Sequence, residues 1–230
     1  MDKVCAVIVA AGKGRRMGAG KNKQFIDIGG RPVLYYTLEA FQQCVEVDEI
    51  VLVCAAEEKE YVREEIVARY GFGKVKAVVA GGAERQYSVF NGLKAVGGCG
   101  FVLIHDGARP FVSGRILSEG IRHAREHGAA ACGVVPKDTI KLRDESGFSK
   151  GTLDRSRLFS VQTPQCFSLG LILGCYEKAI SGEIIFTDDT SVAEHFGRKV
   201  FLYEGSYDNI KITTTEDLAL AEVILAKLKK

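Results

Sequence analysis

The sequence predicts an α/β fold built on a doubly wound, mostly parallel sheet. Five short runs, Val4–Val9, Ile50–Cys54, Val75–Val79, Phe101–Ile104 and Ala130–Val135, are apolar almost throughout, as strands covered on both faces must be. Amphipathic stretches of helical length lie between them on short links, which is the alternation of a parallel sheet. A length of 230 residues with 47% hydrophobic and 26% charged residues allows a buried core without covalent staples and excludes a disordered or collagen-like chain.

In chain order, Val4–Val9 opens the sheet. Pro32 suits a first helical turn and leads into Leu34–Phe41. Glu57–Tyr70 is charged and amphipathic and stops at Gly71. Gln86–Val96 and Ser113–His127 are the next two helices. The pattern breaks after Pro136. Lys137–Ser160 is polar and rich in turn formers, with short extended pieces at Thr139–Leu142 and Gly151–Leu153 around Asp144–Gly147. It predicts a projecting β-arm with little core of its own, of the kind that packs on a second subunit. Helices near Leu169–Ile180 and Asp189–Phe196, a strand at Lys199–Tyr203 and a last helix at Thr215–Lys229 complete the chain. The last helix carries a capping box, Thr214 or Thr215 with Glu216 and Asp217, and ends in Lys227, Lys229 and Lys230. The whole is expected to be one domain over 1–230 with an arm at about 137–160.

The net charge of +2 is no nucleic-acid footprint, although a basic site can hide in a balanced total. The apolar start spans only eight residues, Val4–Ala11, far from the roughly 18 of a membrane span, and reads as neither signal peptide nor membrane helix. Seven cysteines with no C-x-x-C suggest buried thiols in a reducing compartment, so a cytoplasmic location is expected.

The loop after the first strand, Gly12-Lys13-Gly14-Arg15-Arg16-Met17-Gly18, carries the strongest chemical signal. Glycines there let backbone N–H groups approach phosphate oxygens. It is not a P-loop, because no G-x-x-x-x-G-K-[ST] is present. It is not a dinucleotide fingerprint, because Met17 stands where the third glycine belongs. Lys13, Arg15, Arg16, Lys21 and Lys23 place five cations within eleven residues with no acid among them. Such a loop repels itself unless an anion is bound, so polyphosphate binding is expected.

This loop (AAGKGRRMG, then KQF at 23–25) resembles that of the sugar-nucleotide and alditol nucleotidyltransferases. More narrowly, the chain resembles the 2-C-methyl-D-erythritol 4-phosphate cytidylyltransferase family from Cys5 to about Ala226. The resemblance rests on ordered blocks: GGAERQYSV, HDGARPFV, PKDTIK, TPQCF, TDDTS and DNIKITTTEDLALAE. Asn22 and Tyr87 depart from the family pattern, which favours proline and an acidic residue there, and neither is needed for chemistry. The resemblance implies a nucleotide-diphospho-sugar transferase-like fold and a reaction of CTP with methylerythritol phosphate that gives the CDP-alditol and pyrophosphate. The nucleophile is a phosphate monoester, with a second pKa of about 6, so no general base is required. The site must supply positive charge and in-line positioning.

The resemblance assigns Arg16 and Lys23 to stabilising the α-phosphate, and Arg155 and Lys211 to positioning the alditol phosphate. Arg15 and Lys13 either hold the β- and γ-phosphates or point to solvent. The resemblance puts the cytosine against Ala10, Ala11, Gly82 and Ser88, and Gly12, Gly14 and Gly81 are further nucleotide-binding positions, although Gly81-Gly82 alone also reads as a plain strand-to-helix turn. Arg109, Thr139, Thr163 and Thr187 are expected to line the substrate. Asp106, at a strand end, either binds Mg²⁺ or holds a ribose or substrate hydroxyl. Asp208 is a second metal candidate or a turn residue. Mg²⁺ is expected to ride mainly on the CTP phosphates. In this family the arm crosses to a second subunit, so a two-fold homodimer with shared sites is implied. His123 and His127 read as part of a solvated helix face rather than a zinc site, and His105 as a packed core residue. A ribitol-5-phosphate cytidylyltransferase, and a non-catalytic nucleotide sensor on the same fold, are the competing readings.

Overall fold

The computed structural model describes residues 2–12 and 22–228. Along the chain, β1 (Val4–Val9) is followed by a small hairpin of β2 (Asp27–Ile28) and β3 (Arg31–Pro32), then α1 (Val33–Gln43) and β4 (Glu49–Cys54). The helix expected over Glu57–Tyr70 is wound in three ways: a tight turn at Ala56–Glu58, α2 (Lys59–Tyr61), and wide π-type turns over Val62–Ala68. Next come β5 (Val75–Ala80), α3 (Arg85–Lys94), β6 (Phe101–Asp106), α4 (Gly114–His127) and β7 (Ala129–Val134). The arm holds β8 (Lys141–Arg143) and β9 (Ser149–Thr152). β10 (Ser160–Ser168), α5 (Leu169–Ser181), α6 (Asp189–His195), β11 (Phe201–Glu204) and α7 (Thr215–Leu228) close the fold.

Seven strands form one sheet in the order β11-β7-β10-β6-β1-β4-β5. All pairings are parallel except those of β10, which runs antiparallel between β6 and β7. Because successive side chains of a strand face opposite ways, β1 feeds two cores. Val4, Ala6 and Ile8 join α1, α4 and the Val62–Ala68 turns on one face, whereas Cys5 and Val7 join α3, α5 and α6 on the other. A third cluster seats α7 beneath Ile28, Phe111 and Ile212. All seven cysteines are free and buried. Burial pushes the Cys54 thiol up to about 11 and that of Cys132 to about 12, so both are inert at neutral pH.

Local chemistry explains the ends of α4. Ser113 caps it by accepting the Ile116 N–H, and Gly128 ends it at φ 82, a left-handed position that favours glycine. At α7, Asp217 reaches back to accept the N–H groups of Thr213 and Thr214, which is one half of the expected capping box.

Two expectations need correction. No strand is expected between the arm and the helix near Leu169, yet Ser160–Ser168 is a nine-residue strand inside the sheet. Its Pro164 lies within an irregularity of the β7 pairing between Val161 and Gln165, a place where the ladder tolerates proline. The His123–His127 face is also not simply solvated. His123 is 8% exposed, and both rings stack on Phe201 with centroids 4.3 and 4.4 Å away. Arg122 occupies the Nε2 of His123 at 2.8 Å, which removes that lone pair from metal binding.

Candidate active site

The chain steps from β1 through β4 to β5 on one side and then places β6 on the other side of β1. That reversal opens a crevice at the strands' carboxyl ends, where open α/β sheets hold ligands. The crevice here is a cavity of about 820 Å³. Its walls are the turns that follow β1, β4, β5 and β6, pinned to one another by Ala10 N–H to Val53 C=O at 2.7 Å, Gly81 N–H to Cys54 C=O at 2.8 Å and Gly107 N–H to Val9 C=O at 2.9 Å.

One wall is made of small groups. Ala11, Gly12, Gly81, Gly82 and Ser88 line it. A Cβ on Gly81 would lie 2.4 Å from the Ala11 Cβ, and one on Gly82 would lie 2.3 Å from the Tyr87 Cβ, so only glycine fits either position. Ser88 Oγ accepts from the Gly82 N–H at 3.0 Å and donates to the Glu84 carbonyl at 3.1 Å. It thereby fixes the turn that opens α3.

The opposite side is ionic. Asp106, the last residue of β6, sits among three cations: Arg85 Nε at 3.1 Å from Oδ1, and Lys211 Nζ at 2.8 Å and Arg109 Nε at 3.6 Å from Oδ2. Burial resists ionisation of Asp106, but Arg85, Lys211 and Arg109 outweigh it and hold the carboxyl well below the usual carboxylate range. Arg85 forks onto the fully buried Asp189 with two bonds of 2.8 Å, and Tyr176 donates to the same carboxylate at 2.6 Å. Burial works against the Arg85 charge, yet Asp189 and Asp106 push its pKa further up. Lys23 donates to the carbonyl of Ile212 at 2.9 Å. Two lysines far apart in sequence therefore converge on one short segment, since Ile212 follows Lys211.

Behind Asp106 runs a buried relay. The Asp106 N–H donates to Thr163 Oγ at 3.1 Å, Thr163 Oγ meets His105 Nδ1 at 3.1 Å, and His105 Nε2 meets the Arg109 carbonyl at 3.1 Å. The carbonyl can only accept, so Nε2 carries the proton and Nδ1 accepts from the hydroxyl. Burial pushes His105 down to about 4, and the ring stays neutral.

The cavity thus gathers Ala11, Gly12, Lys23 and Lys211 with Gly81, Gly82, Ser88 and Asp106. Ala10 is fully buried behind the wall, Thr163 supports Asp106 from the core, and Arg109 donates to the Asn209 carbonyl at 2.8 Å. Thr139 and Arg155 are exposed on the arm and Thr187 is exposed before α6, all three away from the cavity lining of their own chain. Lys13, Gly14, Arg15 and Arg16 lie outside the described residues. Arg85, Asp189 and Tyr176 carried no role in the sequence reading. Arg85 is the one cation in the GGAERQYSV block and begins α3, a signal that could have found it, whereas Asp189 and Tyr176 are revealed only by contact.

A magnesium ion riding on phosphates takes oxygen ligands. Asp106 fits as one such ligand, because two of the roughly four lone-pair positions of a carboxylate remain after its two short bonds. Asp208 does not fit: its Oδ2 pairs with Lys227 of α7 at 2.8 Å and it is not on the cavity wall.

The sequence matches the model of the 2-C-methyl-D-erythritol 4-phosphate cytidylyltransferase family over residues 4–227. It is 59% identical over 219 residues to the 2-C-methyl-D-erythritol 4-phosphate cytidylyltransferase of Clostridium kluyveri, covering 95% of each chain. It is 55% identical over 223 residues to that of Clostridium acetobutylicum, covering 97% of each. The fold is similar to the crystal structure of 4-diphosphocytidyl-2C-methyl-D-erythritol synthase from Anaerococcus prevotii, with a TM-score of 0.87, 36% identity, and 98% of this chain and 96% of that chain covered. The Thermus thermophilus cytidylyltransferase gives a TM-score of 0.80 at 30% identity, with 98% and 99% covered.

Proposed function

The chain belongs to the 2-C-methyl-D-erythritol 4-phosphate cytidylyltransferase family and transfers CMP from CTP to 2-C-methyl-D-erythritol 4-phosphate, and we propose that the cavity between the β1, β5 and β6 turns is where it does so. The observation that carries this placement is the convergence of Lys23 and Lys211, one tethered to the Ile212 carbonyl and the other to Asp106, opposite a wall of Ala11, Gly81, Gly82 and Ser88.

The small wall takes the cytosine, and its backbone groups read the base edge. Triphosphate and alditol phosphate meet on the cationic side. A phosphate oxygen of the alditol phosphate attacks the α-phosphorus of CTP in line. A new P–O bond forms, the bond to the β-phosphate bridging oxygen breaks, and pyrophosphate leaves. The attacking phosphate is already largely a dianion at neutral pH, so the obstacle is repulsion between anions. Lys23, with Arg16, offsets the charge that builds on the α-phosphate, and Lys211 holds the incoming phosphate. Asp106 would hold Mg²⁺ riding on the triphosphate, and the ion would supply further charge neutralisation there.

The arm completes this reading. Its hairpin leaves Phe148 74% and Leu142 51% exposed, apolar side chains that a second subunit would cover. Thr139 and Arg155 would then reach the alditol phosphate in the partner's cavity, making the protein a homodimer with shared sites. Residues 1–230 would form one catalytic domain with the arm as its appendage. Among the described residues no helix is long and apolar enough to cross a membrane, and small soluble substrates with seven free thiols suit a cytoplasmic setting.

The test is pyrophosphate release by purified protein with each nucleoside triphosphate and each alditol phosphate. CTP with 2-C-methyl-D-erythritol 4-phosphate should be the preferred pair. A substitution series in which Lys23 and Lys211 prove dispensable would overturn the placement, and preference for ribitol 5-phosphate would overturn the acceptor.

A further inference from the structure

We infer that Asp189 and Tyr176, two buried groups behind the cavity wall, are positioning residues for the attack: they fix Arg85, Arg85 fixes Asp106, and Asp106 fixes the Lys211 ammonium. The inference rests on the cytidylyl-transfer reading of the cavity.

Each link has a stated geometry. Asp189 is the first residue of α6 and has no exposed surface. Its two oxygens take both terminal nitrogens of Arg85, and Tyr176 of α5 adds a third bond to Oδ1. Burial and the neighbouring carboxylate push the Tyr176 pKa well up, so its hydroxyl remains a donor. The planar guanidinium has its N–H groups in a fixed fork. With both ends seated on Asp189, its Nε can point only one way, and at 3.1 Å it meets Asp106 Oδ1.

Asp106 gripped on Oδ1 cannot turn about its carboxyl axis without losing Arg85, so Oδ2 is also fixed. Lys211, whose side chain is 38% exposed, meets that oxygen at 2.8 Å. A lysine side chain free to move would sample many positions. This carboxylate gives its ammonium one. Polar side chains of β10 brace the two ends of the chain of contacts. Gln165 donates to Asp188 at 2.8 Å and accepts the Thr190 N–H at 2.9 Å, flanking Asp189. Gln162 donates to the Ser206 carbonyl at 2.8 Å and accepts from Asn209 at 3.2 Å, just before Lys211.

Arg85→Lys tests the relay directly, because it keeps the charge and loses the fork, so one ammonium cannot serve Asp189 and Asp106 together. Tyr176→Phe is the milder companion that preserves the ring and removes one hydrogen bond. In steady-state assays, Arg85→Lys should lower kcat by about tenfold or more, given what small misplacements of reacting groups cost. The KM for CTP should change by a smaller factor than kcat does, because the relay acts on the Lys211 ammonium rather than on the nucleotide wall. Tyr176→Phe should lower kcat by a smaller factor in the same pattern. Guanidinium added to Arg85→Ala, below denaturing concentration, should restore part of the loss, since Arg85 lines the open cavity.

Unchanged kcat in both variants, with only the melting temperature shifted, would show the network to be structural and overturn the inference. A loss confined to the KM for CTP would overturn it as well, by making Arg85 a nucleotide contact. Wild-type protein inactive with CTP and 2-C-methyl-D-erythritol 4-phosphate would instead remove the cytidylyl-transfer reading, and the inference with it.

Discussion

Acid should destabilise this protein through His105 over a defined window. The ring is fully buried and its two nitrogens are committed to Thr163 and the Arg109 carbonyl in the neutral tautomer. Burial lowers its pKa from 6.5 to about 4. Between these values the unfolded chain binds a proton that the folded chain does not, so stability falls as the pH falls from 6.5 towards 4. Above 6.5 the ring contributes nothing to the pH dependence, and below 4 its share of the loss is complete. At about 1.4 kcal/mol per pH unit the loss is about 3 kcal/mol, a large part of a typical domain stability of about 5–15 kcal/mol. Urea unfolding at pH steps from neutral to 4 should be compared for wild type and His105→Gln, whose amide can still donate to the Arg109 carbonyl. Other groups cancel in the difference, and wild type should lose about 3 kcal/mol more than the variant across the window. Parallel curves for the two proteins would refute the neutral-relay argument. A difference that grows above pH 6.5 would refute the sign.

Other substitutions test the site. Lys23→Ala should lower kcat by roughly 10² or more while the fold stays intact, and Arg16→Ala is expected to do the same; near-normal kcat in either removes that residue from the mechanism. CTP should be preferred to ATP and GTP in kcat/KM, with UTP the nearest competitor, and Gly81→Ala should raise the KM for CTP because its Cβ would sit 2.4 Å from that of Ala11; equal use of a purine triphosphate would sink the small-wall reading. Arg155→Ala and Lys23→Ala should each be nearly inactive alone, yet recover about a quarter of wild-type activity when mixed and allowed to exchange subunits, since half the dimers then hold one intact site. No recovery, with exchange shown by mass, would place Arg155 in its own chain's site.

The apolar runs were enough to read β1, β4, β5, β6 and β7 to within two residues of their ends, because strands buried on both faces admit few polar residues. β10 escaped for the opposite reason. Gln162, Thr163 and Gln165 are buried and polar, so the strand shows neither an apolar run nor a clean alternation. Their partners, Ser206, Asn209, Asp188, Thr190, His105 and Asp106, lie from 23 to 58 residues away, and a buried polar side chain is acceptable only once such partners are in place.

The glycine-rich loop, its cations and the blocks around Gly81, Asp106 and Lys211 are properties of local sequence. Residue type and spacing pointed to a polyphosphate ligand, and the ordered blocks carried the family resemblance that implied the reaction. What local sequence could not give is the pairing of charges. The tether of Lys23 to the Ile212 carbonyl, beside Lys211, spans 189 residues and the pairing of Arg85 with Asp189 spans 104. The neutral state of His105 depends on the burial that packing creates. Short-range pattern determined the apolar strands, the turns and the glycine- and cation-rich character of the first loop, whereas the placement and protonation of the charged groups were decided by the tertiary fold, since charge–charge energy depends on distance and burial rather than on position along the chain.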